Sequence, residues 1–84
     1  MRAYKEIIQQ EWELKQVTCN QCGKELLVED GILKEGCFSI DYIFDYFSNK
    51  DGYIYSLDLC ENCFDQWTEK FKFPVEISET KEFL

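Results

Sequence analysis

The 84-residue sequence predicts a small α+β domain in which an antiparallel β-hairpin is followed by one C-terminal helix. Residues 38–47 and 53–59 alternate between two faces at high aromatic density, which is the periodicity of β-strands. The segment between them ends in a glycine, so the two strands are expected to form a hairpin with a longer loop. Phe64, Trp67 and Phe71 follow at the spacing of one helical face, which predicts a helix after the hairpin.

Composition limits both the size and the chemistry of the protein. A chain of 84 residues accommodates one domain, which we assign to residues 1–84 with its core at 11–73. Aromatic residues make up 17% of the chain, which is too many for a disordered segment. Because the chain has no histidine, catalysis by Ser-His-Asp or Cys-His groups and histidine-ligated metals are excluded.

The sequence also predicts where the protein resides. It contains no apolar run long enough to cross a membrane as a helix. Residues 1–15 lack the apolar centre of a signal peptide. We therefore expect a cytoplasmic protein without a membrane partner.

The cysteines carry the most specific signal in the chain. Five are present, and four of them form two Cys-x-x-Cys pairs, Cys19 with Cys22 and Cys60 with Cys63. Two such pairs supply the four soft ligands that Zn²⁺ prefers in a closed tetrahedral site. The first pair reads C-N-Q-C-G-K, and Gly23 permits a positive φ that turns backbone N–H groups toward the sulfurs. The sequence therefore predicts a zinc knuckle and a structural zinc ion bound by these four cysteines.

The second pair is placed differently, at the predicted start of the helix. It reads D-L-C-E-N-C-F, in which Asp58 and Glu61 have the spacing of a capping box. A knuckle, a hairpin and a helix whose first turn supplies the last two ligands together resemble the treble-clef zinc finger, over residues 15–72. The resemblance implies a small zinc-binding protein that acts as a binding or adaptor module.

Other interpretations of the two pairs remain open. Two disulfides would require an oxidising compartment, and a redox Cys-x-x-Cys would require βαβ units that the pattern does not indicate. Iron in a rubredoxin-type site uses the same four thiolates, but normally with a glycine-bearing knuckle on both sides. Only the first pair here is followed by a glycine. Zinc is therefore favoured, and iron is the alternative metal.

Cys37 is left outside the two pairs. It precedes the strongest predicted strand and has no second thiol at a useful spacing. We expect a buried or half-buried core cysteine. A reactive thiol is the alternative, although no neighbouring lysine or arginine would lower its pKa.

Shorter elements are expected before the hairpin. Residues 11–18 alternate moderately and would lead into Cys19 as a strand. Residues 26–28 are expected to form a short strand that leaves the knuckle, with Asp30-Gly31 as its turn. Residues 4–9 suit either a strand or a helix.

The predicted helix ends before Pro74, because a proline disfavours α geometry at the residue that precedes it. It therefore ends at or just before Phe73. Beyond the proline, Val75–Ile77 are expected to add a brief edge strand.

The charge of the chain argues against nucleic acid as a partner. The formal net charge is -8, and the nine lysines and arginines are spread thinly along the sequence. A centre with Zn²⁺ and four thiolates would bring the charge of the loaded protein to about −10. Clustered cations supply most of the affinity for phosphates. A protein-interaction module is therefore the favoured function, and a zinc-ribbon factor associated with transcription or RNA is the alternative.

No enzymatic function is predicted. Four thiolates leave no open coordination position on the metal for water or substrate. Among the many acidic residues, no pair of carboxylates has a spacing that stands out as an acid–base pair.

The hairpin carries more apolar surface than one short helix covers. Three large apolar residues lie on the face opposite the predicted helix: Ile43, Phe47 and Ile54. They are either covered by a terminal segment or form the surface for a protein partner or a homodimer. Asp41, Asp45 and Asp58 lie on the same face, where we expect a solvated acidic rim.

Overall fold

A computed structural model describes residues 1–8 and 11–80 of the chain. The order of its elements is β1 (Arg2–Ile8), β2 (Glu11–Thr18), β3 (Glu25–Leu26), β4 (Val28–Glu29), β5 (Ile32–Leu33), β6 (Cys37–Ile43), β7 (Ile54–Cys60) and α1 (Glu61–Glu69). The strands pair in the orders β1-β2-β3, β4-β5 and β6-β7, and each pairing is antiparallel. The predicted α+β class, with a hairpin followed by a C-terminal helix, is confirmed.

The first sheet brings the chain to the core. Strand β2 forms as predicted, and the ambiguous N-terminal segment is a strand as far as Ile8, with residue 9 outside the described residues. Val17, near the end of β2, is fully buried and lies opposite Leu26 of β3. The end of β2 is therefore fixed in the core immediately before the first cysteine pair.

The small β4–β5 hairpin forms at the predicted turn. Asp30 and Gly31 have φ values of 53° and 74°. Two successive positive φ angles are typical of a type I′ turn, for which Asp-Gly is a preferred sequence. The predicted strand at residues 26–28 is divided, since β3 ends at Leu26 and β4 begins at Val28.

Strands β6 and β7 form the main hairpin, in the predicted register of faces. Ile40 lies opposite Leu57 on one face, and Ile43 lies opposite Ile54 on the other. The prediction that the first strand continues to residue 47 is wrong, because β6 ends at Ile43. The Asp45 carboxylate accepts a hydrogen bond from the backbone N–H of Phe47 at 3.2 Å. Aspartate side chains that bind the backbone two residues later favour turns over strands.

Helix α1 begins directly after the hairpin but without the predicted capping box. Cys60 is the N-cap residue, and no side chain caps the helix. The helix ends at Glu69, four residues earlier than the limit that Pro74 imposes. Its aromatic face packs on the hairpin, with the rings of Phe38 and Phe64 stacked at 4.8 Å between centroids.

The segment after the helix has no regular structure over residues 74–80. The predicted edge strand at Val75–Ile77 is therefore wrong. Ile77 is almost fully exposed. A strand needs a neighbour to pair with, and no described strand lies beside this segment.

The core is small and rich in sulfur. Its buried apolar residues are Val17, Cys19, Leu26, Leu59, Cys60 and Cys63. Three of these six described residues belong to the Cys-x-x-Cys pairs, so sulfur occupies the place that aliphatic side chains take in most cores. The stability of the fold therefore depends on the groups that bind or neutralise these buried sulfur atoms.

Asp58 joins the N-terminal strand to the hairpin. It is buried, at 5% exposure, so the prediction of a solvated rim residue is wrong for Asp58, whereas Asp41 and Asp45 are exposed. Its carboxylate accepts hydrogen bonds from the Met1 backbone nitrogen at 2.7 Å and the Arg2 Nε at 3.0 Å. Burial alone would raise the pKa of this carboxyl group, but these donors lower it to about 2.

We predict that Asp58→Asn destabilises the protein at neutral pH. The fall of the Asp58 pKa from 3.8 to about 2 corresponds to about 2 kcal/mol in favour of the folded state. Urea unfolding with the metal bound measures this free energy. Asp41→Asn is the matched control, because Asp41 is exposed on the same face of the hairpin. An equal, small effect of both substitutions would contradict a structural role for the Asp58 ion pairs.

Candidate metal centre

The structure brings the four cysteines of the two pairs together. The sulfur atoms of Cys19, Cys22, Cys60 and Cys63 all lie within 4.8 Å of one another. The Cys22 and Cys60 sulfurs are 3.8 Å apart. Four ligands at a metal–sulfur distance of about 2.3 Å in a tetrahedron have sulfur–sulfur separations of about 3.8 Å. The group can therefore hold one metal ion.

The same separation disfavours disulfides. A disulfide requires a sulfur–sulfur distance of about 2.0 Å. All five cysteines are free in this structure. The four sulfurs are therefore arranged around a common centre and are not joined in pairs.

The first pair forms a knuckle between β2 and β3. The backbone N–H of Gly23 donates to the Cys19 carbonyl at 3.0 Å, and the Cys19 N–H donates to the Lys24 carbonyl at 2.9 Å. The Cys22 N–H points at the Cys19 sulfur at 3.5 Å. Gly23 has the predicted positive φ, at 80°, which a side chain at this position would strain.

The second pair lies at the start of the helix, as predicted. Cys60 is the last residue of β7 and the N-cap of α1, and Cys63 is in the first turn. The positive end of a helix dipole stabilises thiolates at this position. Knuckle, hairpin and helix follow one another in the order that the treble-clef resemblance implies.

The acidities of the thiols show why this site favours a cation. Burial would raise the pKa of the Cys19 thiol, but hydrogen bonds from the backbone N–H groups of Cys22, Cys60 and Gln21 lower it to about 6. Burial raises the pKa of Cys63 to about 12, and its neighbours Cys60, Cys22 and Cys19 add to the rise. The Cys19 thiolate thus forms readily, and its negative charge opposes the ionisation of the neighbouring Cys63 thiol. A divalent cation would relieve this conflict, because it attracts all four thiolates at once and offsets part of their mutual repulsion.

Asn20 holds the knuckle against the hairpin. Its backbone N–H donates to the Asp58 carbonyl at 2.8 Å, and its side-chain oxygen accepts from the Asp58 N–H at 2.9 Å. The same oxygen accepts from the Met1 backbone nitrogen at 2.7 Å. No local sequence pattern predicts this role of Asn20, because its partners lie far away in the chain.

Lys24 lies close enough to the sulfur cluster to interact with it electrostatically. It forms an ion pair with Glu35, whose other carboxylate oxygen accepts from the Leu27 N–H at 2.7 Å. The hydrogen bond to Glu35 raises the pKa of Lys24, and the negative charge on Cys60 and Cys22 adds to the effect. Lys24 therefore offsets part of the charge of a thiolate-bound metal.

Cys37 is not part of the four-sulfur group. It is half-buried in β6, directly opposite Cys60, as expected for a core cysteine. Its sulfur lies 3.4 Å from the Ser39 Oγ and 3.9 Å from an Asp58 carboxylate oxygen. These contacts direct it toward the buried ion pairs and not toward the metal site.

Comparison with known protein families, with curated proteins and with solved structures finds no match to this chain. No helix in the described part of the chain is long and apolar enough to cross a membrane. Functional conclusions therefore come from the geometry of the four-cysteine group and from the surface around it.

We predict one metal ion per chain, bound by the four clustered cysteines. Elemental analysis of the purified protein checks the stoichiometry and the identity of the metal. Cys60→Ser should lose the ion, because it removes a buried ligand, whereas Cys37→Ser should leave the metal content unchanged. Equal metal loss from both variants would contradict the assignment of the ligands.

Removal of the metal should cost most of the free energy of unfolding. Half of the buried apolar residues in the described core are cysteines of the cluster, and metal binding in such small modules is worth about 10–16 kcal/mol. Calorimetry after treatment with a chelator should therefore show no cooperative transition. A sharp melt within a few degrees of the metal-loaded protein would mean that the ion is peripheral.

Proposed function

We propose that this chain is a non-enzymatic protein-interaction module whose fold is held by a structural zinc ion. The single observation that supports this most strongly is the convergence of four cysteine sulfurs within 4.8 Å, in and beside the core. Four thiolates complete a tetrahedral shell, so the ion has no position left for water or substrate. The metal then serves to shape a surface.

Zinc is the metal that this arrangement favours. An all-thiolate tetrahedral site suits both zinc and iron, so the ligand set alone leaves both metals open. Iron sites of the rubredoxin type normally have a glycine-bearing knuckle on each side. Here the second pair begins a helix, and Phe64 follows Cys63 where a second knuckle would have its glycine. Elemental analysis and a colourless protein would support zinc, and a red protein would overturn it.

The hairpin supports the interaction part of the proposal. Ile43, Phe47 and Ile54 are 64%, 92% and 60% exposed. The expectation that a terminal segment covers them is not met by the described residues. Ile43 and Ile54 are cross-strand neighbours, and Phe47 lies in the turn that follows β6. Exposed apolar surface of this kind tends to mark interaction sites.

Charge indicates what kind of macromolecule would bind. Between residues 37 and 69, six acidic residues and a single lysine are exposed. Such a surface repels the phosphates of nucleic acids and attracts basic protein surfaces. A protein partner therefore fits this chain better than DNA or RNA.

Sedimentation of the zinc-loaded protein at low and high salt tests the hairpin as an interaction surface. A homodimer through the hairpin should tighten as salt screens its facing acidic residues, and Phe47→Lys should abolish it. Because the Phe47 side chain is so exposed, the substitution should leave the metal content and the melting temperature unchanged. A dimer that survives Phe47→Lys would contradict the hairpin as its interface, and a monomer throughout would mean that any partner is a different protein.

A further inference from the structure

We propose that the outer edge of β6 binds an extended, basic segment of a partner protein, which adds to the β6–β7 hairpin as a third strand. This inference rests on the proposed role as an interaction module and specifies its partner. It identifies the site by backbone geometry, by the side chains on the two faces of the hairpin and by charge.

The backbone geometry follows from one hydrogen bond at the end of the ladder. The Phe44 N–H donates to the Tyr53 carbonyl at 3.1 Å, so these two residues form a hydrogen-bonded pair. Hydrogen-bonded and non-hydrogen-bonded pairs alternate along antiparallel strands. In the register of this hairpin, the N–H and C=O groups of Ser39, Asp41 and Ile43 therefore point away from β7.

The two edges of the hairpin differ in availability. On the β7 edge, both backbone groups of Asp58 are already bonded to Asn20. On the β6 edge, no backbone group of another described segment pairs with Ser39, Asp41 or Ile43. The β6 edge therefore offers three successive outward residues, whereas Asn20 occupies the β7 edge at Asp58 and leaves only Ile54 and Ser56 there for an added strand.

The β6 edge is also regular. Its register with β7 is continuous from Cys37 to Ile43, whereas the edge strand β1 has irregularities between Ala3 and Tyr4 and between Glu6 and Ile8. Proteins commonly protect edge strands from unwanted pairing by bulges of this kind. The β6 edge lacks that protection and presents a straight row of donors and acceptors.

The aromatic face of the hairpin indicates which side chains would suit every second residue of the added strand. Helix α1 covers only the base of this face, through Phe38. Farther along, Tyr42 and its cross-strand neighbour Tyr55 are half exposed. Alternate residues of an added strand would lie beside Ile40 and Tyr42, where apolar side chains fit.

The opposite face of the hairpin indicates which side chains would suit the remaining residues of the added strand. Asp41 is exposed there and makes no ion pair with any residue in the described ranges. It borders a cleft of about 390 Å³ whose lining includes two cations, the Met1 amino group and Arg2. Both are paired with Asp58, so the Asp41 carboxylate keeps its charge. A lysine or arginine on this face of the added strand could reach the Asp41 carboxylate. The expected segment therefore alternates apolar and basic residues.

Charge also decides against a second copy of this chain on the β6 edge. Antiparallel pairing of two β6 strands would bring the acidic residues of two hairpins together. Like charges directly opposite each other destabilise strand pairs. The same Asp41 that opposes self-pairing attracts a basic segment.

The test uses the full, zinc-loaded chain and a synthetic peptide as long as β6 in which lysine and valine alternate. Fluorescence anisotropy of the labelled peptide measures the affinity. The peptide should bind, and the same peptide with N-methyl groups on the amides that face β6 should bind about tenfold more weakly or worse, because it loses hydrogen bonds but keeps its charge.

Substitutions in the protein, with the peptide unchanged, test the same β6 edge. Ile43→Pro removes an outward N–H and leaves the β6–β7 ladder intact, so it should weaken binding about tenfold. Asp41→Lys should weaken binding more than Asp51→Lys, which makes the same charge change in the turn of the hairpin. Metal analysis of each variant shows that it is folded.

Three outcomes would overturn the β6-edge proposal: equal binding of the methylated peptide, equal effects of Asp41→Lys and Asp51→Lys, or no binding to a zinc-loaded protein. A self-association that Ile43→Pro abolishes, with no affinity for the peptide, would assign the edge to a second copy. Loss of the proposed function has a different signature, since it would appear as a protein without zinc or with an incomplete cysteine shell.

Discussion

The mutual repulsion of four clustered thiolates is the constraint on which the rest of this structure depends. Cys19, Cys60 and Cys63 are buried, and they occupy half of the described apolar core. Backbone N–H groups make the first thiolate easy to form, but each further thiolate meets the charge of its neighbours. A divalent cation would relieve this conflict. Binding of such an ion would be coupled to folding, as expected for a domain whose aliphatic core is Val17, Leu26 and Leu59 with half-buried neighbours.

The candidate metal centre and the candidate interaction surface are connected through strand β7 and its hydrogen bonds. Strand β7 ends in Cys60, so one end of the hairpin belongs to the four-cysteine group. Asn20, inside the first cysteine pair, binds the backbone of Asp58 in the same strand, and the Asp58 carboxylate holds Met1 and Arg2. These contacts hold β1, the knuckle and the base of the hairpin in one arrangement. The far half of the hairpin extends beyond this arrangement, and its exposed apolar side chains and the outer edge of β6 lie there.

The charge of the hairpin surface indicates which partners would suit it. Asp41, the single acidic residue of β6, lies on the face opposite the aromatic side chains of Phe38 and Tyr42, so the two faces of the strand differ in charge. The buried Asp58 is neutralised by its own partners, whereas the exposed Asp41 is not paired with any described residue. An acidic rim of this kind opposes association between copies and favours basic partners at low salt. The two carboxylates on this face thus differ in their surroundings: Asp58 is paired within the fold, and Asp41 is exposed to solvent.

The sequence by itself determined the features that depend on neighbouring residues. The spacing of the cysteines indicated the four-sulfur group, Gly23 and Asp30-Gly31 indicated positive φ, and strict alternation predicted which residues share a face of the hairpin. Only the tertiary structure decided the role of Asp58, which resembles a helix cap locally but is held by the N-terminal strand, and the role of Asn20. The alternation of apolar and polar residues also did not predict that β6 ends at Ile43 or that Val75–Ile77 form no strand. The physical reason is the same in each case: a side chain or strand takes the strongest partner available, and for these residues that partner is distant in sequence or missing among the described residues.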